Sequence, residues 1–107
     1  MPLIRLGQTA DASSQVTLFT VTPATYSFVT AKSLIVTNRA GTQTAFRVGH
    51  VTGGGAVGNA DWWFYGTALV PNQTLQFSLD AGLSPTDTVV AHTPGSANVT
   101  INLYGEK

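Results

Sequence analysis

Across residues 98–105 every second position is apolar: Val99, Ile101 and Leu103 alternate with Thr100, Asn102 and Tyr104. Successive strand side chains point to opposite faces, so this period describes a strand with one buried face and one open face. Residues 74–79 repeat the pattern with Leu75, Phe77 and Leu79 inward. No stretch of ten or more residues holds a helical apolar period, and β-branched residues dominate the apolar positions. The chain is therefore expected to fold as antiparallel sheet.

Further strands are predicted at residues 16–21, 26–30, 33–38, 44–51 and 87–92, with turn chemistry between them. The middle of 33–38, Leu34-Ile35-Val36, is continuously apolar, as in a strand covered on both faces. Asn38-Arg39-Ala40-Gly41 supplies a turn, so 33–38 and 44–51 are expected to pair. In the second of these, Phe46, Val48 and His50 share one face. Residues 81–86 read as a connection, with Leu83 plugging one end of the core.

Residues 52–61 form a glycine-rich loop without the Lys-Ser/Thr or βαβ setting of a phosphate-binding loop. Trp62-Trp63-Phe64-Tyr65 follows. Strict alternation places Trp62 and Phe64 on one face and Trp63 and Tyr65 on the other. One pair then fills the core and the other meets a partner, a ligand or a folded-back loop. Trp63→Ala is expected to loosen oligomerisation more than folding. The sum is an all-β, antiparallel β-sandwich, jelly-roll-like, of seven or eight strands, with a small barrel as runner-up. Residues 1–11 read as an N-terminal arm and 12–107 as a single sandwich domain.

Charged residues make up only 9% of the chain and the net charge is zero, where about 25% charge is usual. A surface so poor in charge suits permanent contact with a partner. It does not suit nucleic acid or an anionic membrane, whose phosphates need clustered Lys and Arg. Cysteine is absent, which removes disulfides and thiolate metal sites. The opening residues lack the apolar core of a signal peptide, and no apolar run reaches the roughly 18 residues of a membrane span.

No catalytic constellation stands out, and no enzyme, metal or cofactor is expected. The acids Asp11, Asp61, Asp80, Asp87 and Glu106 form no obvious pair across a substrate. His50 and His92 lack a third ligand. The serines lack a glycine-framed nucleophile elbow. Asp61, beside the tryptophans, is either a sugar-binding carboxylate or a loop-end residue bonding nearby amides.

Leu6-Gly7-Gln8-Thr9-Ala10-Asp11, Thr17-Leu18-Phe19-Thr20-Val21, Leu34-Ile35-Val36-Thr37-Asn38-Arg39 leading into Thr44-Ala45-Phe46-Arg47-Val48, and the closing Asn98-Val99-Thr100-Ile101-Asn102-Leu103-Tyr104-Gly105-Glu106 together resemble a known group. They are similar in texture and order to the small β-sandwich structural proteins of tailed bacteriophages, most of all the capsid decoration or cement proteins. The resemblance implies a non-enzymatic virion component, made in the host cytoplasm and placed on the capsid surface. Its partner would be the major capsid protein, and it would self-associate as a homotrimer or, second, a dimer. The residues expected at its interfaces are Leu3, Ile4, Leu6, Arg39, Arg47, Trp62, Trp63, Tyr65 and Tyr104. The rival reading is a carbohydrate- or receptor-binding sandwich module of a phage fibre, tail or cell surface, using Trp62, Trp63, Tyr65 and Asp61 as a groove.

Overall fold

The computed structural model describes residues 3–22 and 29–106. Eight strands run β1 (Ile4–Thr9), β2 (Val16–Thr20), β3 (Val29–Asn38), β4 (Thr44–Val51), β5 (Trp62–Leu69), β6 (Thr74–Leu83), β7 (Thr88–His92) and β8 (Val99–Glu106). They form two four-stranded antiparallel sheets, the first ordered β1-β8-β3-β6 and the second β2-β7-β4-β5. Four of the pairings, β1 with β8, β2 with β7, β3 with β6 and β4 with β5, are those of one long hairpin with its tip between β4 and β5. Rolling that hairpin brings β3 beside β8 and β4 beside β7. This is the jelly roll that the strand count and spacing predict.

The core lies between the sheets. Leu34 and Val36 of β3, Phe46 and Val48 of β4, Val89 and Ala91 of β7, and Val99, Ile101 and Leu103 of β8 are all fully buried. They come from the four central strands, each covered by neighbours on both sides. At the sheet edges the inward residues Leu75, Phe77 and Leu79 of β6 and Phe64 of β5 pack on the core but stay partly exposed. Leu83, expected to plug one end of the core from a connection, is fully buried as the last residue of β6.

Several expectations are corrected. Strands 33–38 and 44–51 do not pair; β3 belongs to the first sheet and β4 to the second. The link between them is a corner over the top of the sandwich, built around the buried side chain of Asn38. Its Nδ2 donates to the carbonyls of Thr42, Leu69 and Val70, and its Oδ1 accepts from the Ala40 amide. A turn that satisfies the far loop's carbonyls holds the chain in a crossing rather than a hairpin. β3 is covered on its inner face only, so Ile35 points outward and stays half-exposed.

Within the segment expected as an arm, residues 4–9 form β1, paired along β8. Alternation failed to mark it because Leu6 is an extra residue between Arg5 and Gly7 in the β8 register. The predicted strand at 26–30 is not separate from 33–38: Val29 and Thr30 continue β3, and residues 26–28 lie outside the described residues. β6 runs on to Leu83, through part of the expected connection.

Candidate functional site

The outer face of the second sheet carries the chemistry, and β5 supplies most of it. This strand is irregular against β4. Val48 faces Phe64 while the adjacent Gly49 faces Trp62, which leaves Trp63 as an extra residue. Phe46 faces Thr67 while Arg47 faces Tyr65, which leaves Gly66 extra, with φ at 71°. A side chain at that left-handed position would be strained, so glycine suits the bulge.

The bulge at Trp63 breaks strict alternation and changes the expected pairing of aromatic residues. Trp63 and Phe64 both pack against the core, while Trp62 and Tyr65 share the outer face. Phe64 stacks in a tilted cluster with Phe77 (4.5 Å between centroids) and Phe46 (5.6 Å). Trp63 lies 5.9 Å from the His50 ring. On the outside, Trp62 and Tyr65 are 5.6 Å apart, and the Arg47 guanidinium carbon sits 4.2 Å from the Tyr65 ring centre.

Gly49 makes this arrangement possible. A Cβ there would come within 3.0 Å of Trp62 Cε3 and 2.8 Å of the Asp61 carbonyl oxygen. The indole therefore lies down on the strand instead of standing away from it. Tyr65 remains 61% exposed, although large aromatic rings are usually covered. Asn59, Trp62 and Tyr65 line an open depression of about 430 Å³ at this face.

Behind the face, one carboxylate fastens three segments. Asp87, 4% exposed, accepts hydrogen bonds from the Ser84 amide (3.0 Å), the Gly53 amide (3.0 Å) and His50 Nε2 (2.8 Å). Burial alone pushes its carboxyl upward, but the amides of Ser84 and Gly53 and the His50 ring outweigh burial and hold it below its ordinary value. Nothing in the sequence signals this cluster, because 37 positions separate His50 from Asp87. Asp61 takes the second of its two expected roles: its Oδ2 accepts from the Gly58 amide at 2.7 Å, closing the loop before β5.

The structure disperses the other residues singled out in the sequence. Arg39 donates to the carbonyls of Ala10 (2.6 Å) and Ala97 (3.4 Å), tying two loops together. Leu3 is exposed just before β1, Ile4 lies in that strand, and Leu6 packs on the core. Tyr104 faces outward from the first sheet, opposite Arg5 and Ser33. Of the residues expected at interfaces, Arg47, Trp62 and Tyr65 come together, with Asn59 added by the loop fold, and His92 lies opposite Arg47 on β7. Among the described residues no group of three or more His, Asp and Glu gathers where it could hold a metal ion.

The strand order and this site define a jelly-roll sandwich whose exposed chemistry lies on an open sheet face. No protein-family model matches the chain, and no curated protein matches its sequence. Among solved structures, a chain in the structure of infectious bursal disease virus, Gx strain, is similar over 98% of this chain, with a TM-score of 0.46 and 11% identity. This chain spans 31% of that chain's length.

Proposed function

We propose that this protein is a non-enzymatic structural component of a bacteriophage virion, a decoration protein that binds a shell of major capsid protein through the outer face of its second sheet. The observation that carries the reading is the preassembled cluster of Arg47, Trp62 and Tyr65 on an open face. Tryptophan, tyrosine and arginine carry most of the binding energy at protein interfaces. Ring stacking here fixes them before contact, which lowers the entropy lost on docking.

The first sheet adds support. Its few outward charges gather at one end, where Lys32 Nζ lies 3.1 Å from Asp80 and 3.8 Å from Glu106. The rest of that face, including Gln8, Ile35, Thr37, Gln76, Thr100 and Asn102, is uncharged. Such a surface makes little demand on a partner's charge and loses little on desolvation. The segment-by-segment resemblance to phage decoration proteins points the same way, and jelly rolls recur in capsid domains.

Mixing the protein with undecorated shells and sedimenting them tests the reading. Saturable co-sedimentation that Trp62→Ala and Tyr65→Ala weaken is the expected result. Absence of any shell-bound protein would overturn it.

The depression lined by Asn59, Trp62 and Tyr65 favours a second reading, a neutral-glycan site. An indole face and a side-chain amide are suited to a sugar ring and its hydroxyls, and lectins also use jelly rolls. Saturable glycan binding lost in Trp62→Ala, with no binding to shells, would favour that reading.

A further inference from the structure

The four strands at the sheet edges are not equally protected. An open edge offers unpaired backbone groups to any other strand, and proteins usually blunt it with bulges, charge or proline. β5 is interrupted at Trp63 and again at Gly66. β2 is short and interrupted at Leu18, and β1 is interrupted at Leu6 beside Arg5. β6 differs. Residues 74–78 pair with β3 through five consecutive partners without a shift, the longest regular run on any edge. The run Thr-Leu-Gln-Phe-Ser holds no charge, proline or glycine. Among the described residues, no backbone group pairs with its outer side.

The same run is self-complementary. If it meets a second copy antiparallel, centred on Gln76, then Gln76 faces the partner's Gln76, Leu75 faces the partner's Phe77 and Thr74 faces the partner's Ser78. Apolar residues meet apolar residues on the inner face, and polar residues meet polar residues outside. Leu75 and Phe77 are partly exposed in one subunit, and this pairing covers them. Any other centre within the run leaves fewer residues paired.

We propose that residues 74–78 of β6 pair with the same residues of a second copy across a twofold axis, so that the first sheet continues from one subunit into the next. Among closed cyclic symmetries, a twofold is the one in which an edge strand meets itself antiparallel. The contact is smaller than a standard interface of about 800 Å² per partner, so the free dimer dissociates on dilution. The pairing is independent of what the aromatic face binds.

The chain has no cysteine, so single-cysteine variants give a direct test. Residues opposite one another in an antiparallel pair have Cα atoms roughly 4.5–5.5 Å apart, within disulfide reach. Gln76 is exposed, so Gln76→Cys is compatible with the fold. Under mild oxidation Gln76→Cys should form a disulfide dimer at least about tenfold faster than Thr74→Cys or Ser78→Cys. Those residues lie about 13 Å from their own copies across the axis, beyond disulfide span. Equal rates for all three variants, or faster cross-linking at position 74 or 78, would overturn the pairing. In light scattering over a dilution series, the parent should pass from dimer to monomer. Gln76→Lys should shift that transition to at least about tenfold higher concentration, because two like charges meet at the axis, with the melting temperature unchanged at dilutions where both proteins are monomeric. An unshifted transition, or a parent monomeric throughout, would refute the proposal.

Discussion

Arg47 and Tyr65 lie directly opposite one another across β4 and β5, with the guanidinium carbon 4.2 Å from the phenol ring centre. The contact is exposed, so it holds the two side chains in place more than it stabilises the fold. Tyr65→Ala should cost less than about 1 kcal/mol of stability, the value of an exposed cation–π contact. Its affinity for shells should fall about tenfold or more, as for an interface hot spot. Chemical denaturation and shell sedimentation of the same variant separate the two effects.

Trp63 should behave in the opposite way. Alternation alone put it beside Tyr65, but the bulge turns it onto the core and the His50 ring. Trp63→Ala should therefore cost about 2–4 kcal/mol through the void it leaves. Affinity of the remaining folded protein for shells should change little. Urea unfolding measures the first quantity and binding well below the unfolding midpoint the second.

Asp87 gives a pH dependence of definite sign. Its hydrogen bonds hold the folded carboxyl below the ordinary value of 3.8, so the anion favours the folded state. This contribution is complete above the unfolded value and fades as the pH falls through the lowered folded value. Asp87→Asn should lose about 1–3 kcal/mol at pH 7, as the Ser84 and Gly53 amides and His50 lose a shared charged acceptor. The gap between parent and variant should narrow below about pH 4. Urea titrations at pH 7 and pH 3 show whether it does.

Asn38 is the corner between the sheets. Asn38→Ala removes the amide that serves the carbonyls of Thr42, Leu69 and Val70, so buried acceptors lose their donor. A loss of about 2–4 kcal/mol is expected. Asn38→Asp should be no better, because a carboxylate cannot donate to those carbonyls. Thermal unfolding of the two variants checks both statements.

Much of the fold was legible because period-two patterning and turn residues are local signals. β4 is found with the boundaries expected, and the inward sets Val99, Ile101, Leu103 and Leu75, Phe77, Leu79 face the core. β1 was not legible, because an extra residue at Leu6 disrupts the alternation that marks a strand. The candidate site was half legible. Its residue types were clear, but bulges at Trp63 and Gly66 decide which of them share a face.

The sequence by itself determined that this chain forms antiparallel sheet, with a sandwich favoured over a small barrel, since alternating apolar residues in short runs bury one face of each strand and leave the other open. It also determined the scarcity of charge and the absence of thiol chemistry. Only the tertiary structure decided that β3 and β4 part at Asn38, that Asp87 gathers His50, Ser84 and Gly53, and that Trp62 and Tyr65 face outward together. Each depends on residues far apart in the chain or on a one-residue shift of register. Local patterning carries neither kind of information, because it describes a strand's two faces but not the strand beside it.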